Sequence, residues 1–233
     1  MKKKKLIIPA LIIILGTLFT TNKAISPLGT PTVSTAPLPC TSNVNTNFKL
    51  NITVADVNEL YAWQFNMTFN PTVLGGVSVE EGDFLWQAGS TWWQEVRINN
   101  ASGWIFAGDS LFSIPMPEHG ANGTGWLATI TFNVKMKGAS NLHFASETGL
   151  ATWDHVNLVP VPLTFTAKDG FFQYPVGDVN GDGIVSALDL FRMGKAYGST
   201  NSSLNWDPDA DLNKDNEVNK SDLSYLSENY GKS

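Results

Sequence analysis

The sequence contains very little cysteine and few basic residues. Cys40 is the only cysteine among 233 residues, so no internal disulfide is possible. Five of the 15 basic residues lie in the first 24 positions, which leaves ten basic residues against all 21 acidic residues in the remainder. A surface that binds nucleic acid requires clustered lysine and arginine, so the composition excludes nucleic acid as a partner.

Long apolar runs are also scarce, and the single one lies at the N-terminus. Four lysines at positions 2–5 precede an apolar stretch over 6–19, and small and polar residues follow through Ala24. This order is typical of a secretory signal peptide, because a membrane-spanning helix needs about 17–25 apolar residues. We therefore predict a signal peptide over 1–24 and a secreted, extracellular protein. Retention of this segment as an uncleaved anchor, with a cell-surface location, is the alternative.

The next two segments differ in composition and in pattern. Residues 25–39 are rich in serine, threonine and proline and carry no charge, which predicts an extended linker. Residues 40–176 contain runs in which apolar and polar side chains alternate, at 48–54, 61–69 and 126–134. Alternation with period two buries one face of a strand and exposes the other. Many such strands separated by turn residues predict a mainly β domain, a jelly-roll β-sandwich.

Residues 177–233 contain an internal repeat of two acidic loops. The loops begin at Asp178 and Asp211, are offset by 33 residues, and have oxygen-bearing side chains at positions 1, 3, 5 and 12. Calcium takes six to eight oxygen ligands, and a 12-residue loop supplies them in this order, with a backbone carbonyl at position 7. We predict one Ca²⁺ ion in each loop. The predicted ligands are Asp178, Asn180, Asp182, Ile184 (carbonyl) and Asp189 in the first loop, and Asp211, Asn213, Asp215, Glu217 (carbonyl) and Asp222 in the second.

The residues around position 6 and after each loop repeat as well. Gly183 and Asn216 at position 6 suit the left-handed turn that such a loop needs. Helically spaced apolar residues follow each loop and end at Gly198 and Gly231, which predicts a small all-α unit of two loop–helix repeats. A core this small is marginal, and each loop crowds three acidic side chains together. We therefore expect the unit to be largely unfolded without calcium.

The duplicated unit, GDVNGDGIVSALDLFRMGKAYG followed by DADLNKDNEVNKSDLSYLSENYG, resembles a type I dockerin. The resemblance implies calcium-dependent docking onto a cohesin domain, of this or another secreted protein, in complexes that degrade polysaccharides. In that family, loop positions 10 and 11 help to select the partner. These positions are Ala187 and Leu188 in the first repeat and Lys220 and Ser221 in the second. Because the two pairs differ, the resemblance does not imply symmetric, two-way docking.

The β segment is similar to a cohesin domain. The similarity is carried by the strand LYAWQFNMTFNPTVL and by the later segment GWLATITFNVKMKGASNLHF. It implies a nine-stranded jelly roll that accepts dockerin-bearing proteins. Carbohydrate-binding modules share this sandwich, so the fold alone does not decide the ligand.

Together these features predict a non-catalytic assembly protein with no catalytic residues. The alternative is a carbohydrate-binding module carried on a dockerin. One of the adjacent Trp92 and Trp93 is expected to be exposed, because neighbouring strand residues point to opposite faces, and an exposed tryptophan can bind a sugar ring. A glycoside hydrolase is the least favoured reading, since no acidic side chain of the sandwich lies in a recognisable catalytic motif.

Overall fold

The structure is a computed structural model that describes residues 29–37, 42, 44–94 and 96–232. The predicted signal peptide over 1–24 and Cys40 lie outside the described residues. Within the described ranges no helix has the length and apolar character needed to cross a membrane. Two bodies are formed, a β-sandwich and a small helical unit at the C-terminal end.

In the part of the chain that the structure describes, the sandwich contains twelve strands in two sheets. One sheet has five strands in the order β11-β1-β2-β7-β4, and the other has seven, in the order β10-β9-β3-β6-β5 with β8 on β3 and β12 on β8. The strands are β1 (Thr32–Ala36), β2 (Asn47–Leu60), β3 (Ala62–Thr68), β4 (Leu74–Glu81), β5 (Arg97–Asn99), β6 (Trp104–Ser110), β7 (Ala121–Val134), β8 (Gly138–Phe144), β9 (Gly149–Asp154), β10 (Val159–Leu163), β11 (Thr166–Lys168) and β12 (Gly170–Tyr174).

The predicted alternation is confirmed in β2 and over most of β3, but only in part in β7. The runs at 48–54 and 126–134 lie in β2 and β7, and the run at 61–69 includes all of β3. In the third run Trp126 is 54% exposed and Leu127 is 2% exposed, the reverse of the predicted pattern, beside a register irregularity between β2 and β7. In β2, Leu50 and Ile52 are completely buried while Asn51 between them is partly exposed. Aromatic rings join the two sheets in the core, because Phe132 of β7 and Phe172 of β12 both stack on Phe48, with centroids 5.5 and 5.1 Å away. The jelly-roll sandwich is therefore held by a continuous apolar core.

The prediction of an extended linker over 25–39 is wrong for residues 32–36. Residues 32–36 form β1, which pairs antiparallel with β2 and parallel with β11. Val33 is only 1% exposed and belongs to the sandwich core. Along this strand the buried Val33 and Thr35 alternate with the partly exposed Thr32, Ser34 and Ala36. The serine-, threonine- and proline-rich composition of 25–39 suggested a linker, and a period-two pattern of only five residues was too short to indicate a strand.

The C-terminal unit contains the two predicted helices. Helix α1 covers Ala187–Ala196 and helix α2 covers Lys220–Asn229. A separate small core lies beneath them, in which Met193 of α1 and Leu226 of α2 are 1% exposed. Val176, which the sequence placed at the end of the sandwich, also belongs to this second core.

Candidate functional site

The first acidic loop is closed by hydrogen bonds from the backbone to its own aspartates. Asp178 Oδ1 accepts from the backbone N–H groups of Gly181 and Asp182, at 2.8 and 3.0 Å, and its Oδ2 accepts from Gly183. Asn180 Nδ2 donates to Asp182 Oδ2 at 3.0 Å. The loop thus folds tightly around positions 1, 3 and 5, three of the predicted ligand positions.

The second loop repeats this arrangement. Asp211 accepts from the N–H groups of Asp215 and Asn216, at 3.2 and 3.0 Å, and Asn213 Nδ2 donates to Asp215 Oδ2 at 2.8 Å. Burial raises the pKa of Asp211, and the negative charge of Asp222 raises it further, against hydrogen bonds from the backbone that lower it. Two carboxylates therefore lie close together in a largely buried setting, which a cation would stabilise.

The aspartate at position 12 joins each loop to the helix that follows. Asp189 Oδ1 accepts from the N–H of Asn180 at 2.9 Å, and its Oδ2 accepts from the N–H of Ser186, the N-cap residue of α1, at 2.8 Å. Asp222 makes the equivalent contacts to Asn213 and Asn219. Both aspartates are completely buried and complete a capping box. The aspartate at position 12 thus accepts hydrogen bonds both from the loop backbone and from the N-cap residue of the helix.

The two repeats are also joined to each other, crosswise. Val185 in the first loop bonds through its backbone to Gly231 and Lys232, at the end of α2. Val218 in the second loop bonds in the same way to Gly198 and Ser199, at the end of α1. Each loop is therefore held by the helix end of the other repeat. This pairing could not be predicted from the sequence, because its partners lie in different repeats.

Backbone conformation confirms the turn at position 6 and adds a second turn. Gly183 and Asn216 have φ angles of +87° and +73°. Position 4 is left-handed as well, with φ +77° at Gly181 and +58° at Lys214. The glycine could have signalled this turn, whereas the lysine carried no such signal.

The donor chemistry of the loops fits calcium. At positions 1, 3, 5 and 12 each loop offers three aspartate carboxylates and one asparagine, and the backbone adds carbonyls, all hard oxygen donors. Within residues 29–37, 42, 44–94 and 96–232, however, no group of three or more His, Cys, Asp or Glu side chains converges as a metal cluster. The aspartate oxygens accept from backbone N–H groups instead, so the full ligand sets given by the sequence stay a prediction.

The predicted partner-selecting residues lie at the exposed start of each helix. Ala187, Leu188, Lys220 and Ser221 are all exposed, Leu188 by 63%. The apolar stripe of α1 is only partly used by the core, since Leu190 and Phe191 are 43% and 64% exposed. A groove lined by apolar side chains from both helices runs beside them. This unit therefore presents an apolar surface of the kind that a protein partner covers.

The two adjacent tryptophans have different surroundings, as expected. Trp93 packs against the sandwich core and lies 5.8 Å from Trp63, centroid to centroid. Trp92 is 36% exposed and meets the exposed ring of Phe112 edge to face at 5.5 Å. Of these two tryptophans, Trp92 is therefore the one placed to meet a ligand.

One buried carboxyl group of the sandwich was not recognised from the sequence. Asp109 lies on β6 in the seven-stranded sheet, is 1% exposed, and has an Oδ2 atom with no hydrogen-bond donor. Burial, followed by the negative charge of Glu81 at the end of β4, raises the pKa of Asp109 to about 7. Glu81 in turn accepts from the Thr91 hydroxyl at 2.6 Å. These groups join the two sheets to the segment that carries Trp92.

Comparison with known families gives two matches that divide the chain in the same way as the structure. The model of the cohesin domain matches residues 39–169, and the model of the dockerin type I domain matches residues 176–229. No curated protein matches the chain.

Solved structures with a similar fold are cohesins. The sixth cohesin of scaffoldin B from Acetivibrio cellulolyticus, solved in complex with a dockerin, is 12% identical and aligns with a TM-score of 0.50 over 62% of this chain and 99% of its own. A non-cellulosomal cohesin from Archaeoglobus fulgidus is also 12% identical, with a TM-score of 0.47 over 62% of this chain and 91% of its own. At such identities the first of these similarities supports the sandwich fold alone.

Proposed function

Because this chain belongs to the cohesin family and also contains a type I dockerin domain, we propose that it is a secreted, non-catalytic assembly protein. Both domains are interaction domains, and together they support a role in protein–protein assembly of the cellulosome type. In this proposal the dockerin binds a cohesin when its loops hold calcium, and the sandwich accepts a dockerin. The complexes so formed would act in extracellular breakdown of polysaccharides.

The observation that carries the proposal is the presence of both complementary domains in one chain. The exposed apolar side chains of α1, among them Leu188 and Phe191, are available to a cohesin on another molecule. A chain with one of each domain can join others head to tail, an open form of assembly. The cohesin partner can belong to a second copy or to another secreted protein.

Calcium is the group that the dockerin loops would hold. Asp178, Asn180, Asp182 and Asp189 would hold one ion, and Asp211, Asn213, Asp215 and Asp222 the other, with the carbonyls of Ile184 and Glu217. A bound ion supplies the positive charge that crowded carboxylates lack. Asp189 and Asp222 also complete the capping boxes, so calcium bound to them would stabilise the starts of α1 and α2.

Docking can be tested by surface plasmon resonance with the full chain over an immobilised second copy and over a panel of purified type I cohesins. We expect binding in calcium and none in chelator. Replacing Leu188 by Asp should weaken that binding by roughly a hundredfold, because it places a charge in an apolar contact. The matched control is Val156→Asp, which changes an 89% exposed residue of the sandwich. Absence of calcium-dependent binding to every cohesin would contradict the proposal.

Sugar binding by the sandwich is the second candidate, and the exposure of Trp92 favours it. If the Trp92 ring stacks on a sugar, Trp92→Ala should reduce retention of the full chain on insoluble polysaccharide by roughly three- to tenfold. Trp126, which is 54% exposed on β7, offers a control of the same residue type. Equal retention of Trp92→Ala and the unchanged protein would remove this candidate.

A further inference from the structure

The sandwich and the dockerin are joined without a flexible spacer. Strand β12 ends at Tyr174, and the first acidic loop begins at Asp178. Of the residues between them, Val176 is 2% exposed and is part of the dockerin core. The last strand of one domain therefore passes directly into the core of the next, which restricts how far the two can swing apart.

Residues at the β8–β12 edge of the sandwich contact both acidic loops. Gln173 Nε2 on β12 donates to the carbonyl oxygen of Asp178 at 2.9 Å, at the start of the first loop. Lys137, in the turn before β8, approaches the carbonyl oxygen of Gly183 at 3.5 Å. These two contacts use backbone atoms of the loop and do not involve its carboxylates.

The second loop is held through a charged side chain. The Nζ atom of Lys214 lies 4.2 Å from the ring centroid of Phe171 on β12 and donates to the carbonyl oxygen of Pro208 at 2.6 Å. An ammonium group over an aromatic face is attracted by the ring quadrupole, more strongly when both are partly removed from water. Phe171 and Lys214 are both partly buried. A cavity of about 240 Å³ separates the domains beside these contacts.

We propose that this edge of the sandwich, formed by Lys137, Phe171 and Gln173, is a docking surface for the calcium loops of the same chain, so that calcium binding and fixed domain orientation strengthen each other. The inference rests on the calcium binding proposed above. The edge contacts loop atoms that are in place only when the loops are folded, and calcium favours the folded loops. Two events that favour the same conformation are coupled, and the coupling is reciprocal.

The docking surface leaves the proposed partner-binding surface free. The contacts of the edge are made by the loops, whereas Leu188 and Phe191 on α1 remain 63% and 64% exposed. When the loops contact this edge, the dockerin is held in one orientation relative to the sandwich, and a second molecule meets it in that orientation. Successive chains in an assembly would then be held at a defined angle.

The test is a double-mutant cycle on the full chain with Phe171→Ala and Lys214→Met, read by calorimetric titration with calcium. We expect Phe171→Ala to raise the calcium dissociation constant of the second loop by roughly three- to tenfold, as for the loss of one cation–π contact. Lys214→Met removes the same contact together with a positive charge near Asp211 and Asp222, so its own effect has two causes. In the Lys214→Met background, Phe171→Ala should therefore leave the dissociation constant unchanged. Phe106→Ala is the matched control, because Phe106 is also partly buried and lies under a cation, Arg97, but within the sandwich alone.

Small-angle scattering of the same proteins supplies a second readout. Chelation should broaden the distance distribution of the unchanged chain, and Phe171→Ala with Gln173→Ala should broaden it even in calcium. Fully additive effects in the cycle would overturn the inference, even if one variant is less stable, since the cycle isolates the contact itself. No calcium heat from the unchanged chain would instead contradict the proposed calcium binding.

Discussion

Removal of calcium from the full chain is expected to abolish the helical far-UV signal of α1 and α2 while the sandwich stays folded. Each helix has only ten residues, a length that is marginal in water without tertiary support. Among the described residues their core contains nine buried hydrophobic side chains, and the buried carboxylates of Asp189 and Asp222 cap the starts of the two helices. Without a cation, those negative charges oppose the packing that the helices need.

Single substitutions can separate the roles of these aspartates. Asp189→Asn keeps a side-chain oxygen for the helix cap but removes the charge, and should raise the calcium concentration at half-saturation by about ten- to a hundredfold. Asp189→Ala removes the cap as well and should lower helicity even in saturating calcium. Circular dichroism during calcium titration measures both.

Glu228→Gln is the matched control, since it removes one exposed negative charge from α2 outside the loops. Because each loop is bonded to the helix end of the other repeat, Asp189→Asn should also weaken calcium binding by the second loop. Helices that persist in chelator with an unchanged melting temperature would contradict this expectation.

The sandwich should lose stability as the pH rises from about 4 to about 7, because of Asp109. Its pKa in the folded protein is raised from 3.8 to about 7, so the folded state holds a proton that the unfolded state releases. The contribution of Asp109 to the free energy of unfolding is fully present below its unfolded-state pKa of 3.8. It falls as the pH rises from 3.8 to about 7, and above that pH the free energy no longer changes because of this group. The fall amounts to at most about 4 kcal/mol for one group with this shift.

Asp109→Asn should remove that pH dependence. The amide keeps an oxygen that can accept from the N–H of Ser110, carries no charge, and can donate towards Glu81. The variant should match the unchanged protein at pH 4 and exceed its free energy of unfolding at pH 8 by about 2 to 4 kcal/mol. Urea titrations followed by tryptophan fluorescence, in chelator so that only the sandwich is scored, measure the difference.

The control for Asp109→Asn is the same Asp-to-Asn change in the exposed turn next to Glu81. Asp83→Asn alters an exposed carboxylate and should leave the pH profile unchanged. If Asp109→Asn and the unchanged protein have parallel profiles from pH 4 to pH 8, the raised pKa has no effect on stability. The outcome is independent of calcium, since Asp109 lies in the sandwich.

The sequence alone determined the features that depend on neighbouring residues. Alternation along β2 and β3 is a property of the local side-chain period. The left-handed turn at Gly183 and the ends of both helices at glycine follow from local backbone energetics. These expectations agreed with the structure because no distant residue had to be known. The calcium ligand positions of each loop also lie within 12 consecutive residues, but they stay a prediction.

Tertiary structure alone decided pairing and burial. Residues 32–36 became a strand because β2 and β11, far along the chain, supply their hydrogen-bond partners. Asp109 gained its raised pKa because folding buries it and brings Glu81 from the opposite sheet beside it. Lys214 reached the ring of Phe171 only because the domains are joined at Val176. In each case the free energy depends on groups that are far apart in the sequence and that folding brings together. Local sequence patterns do not show which distant residues will meet.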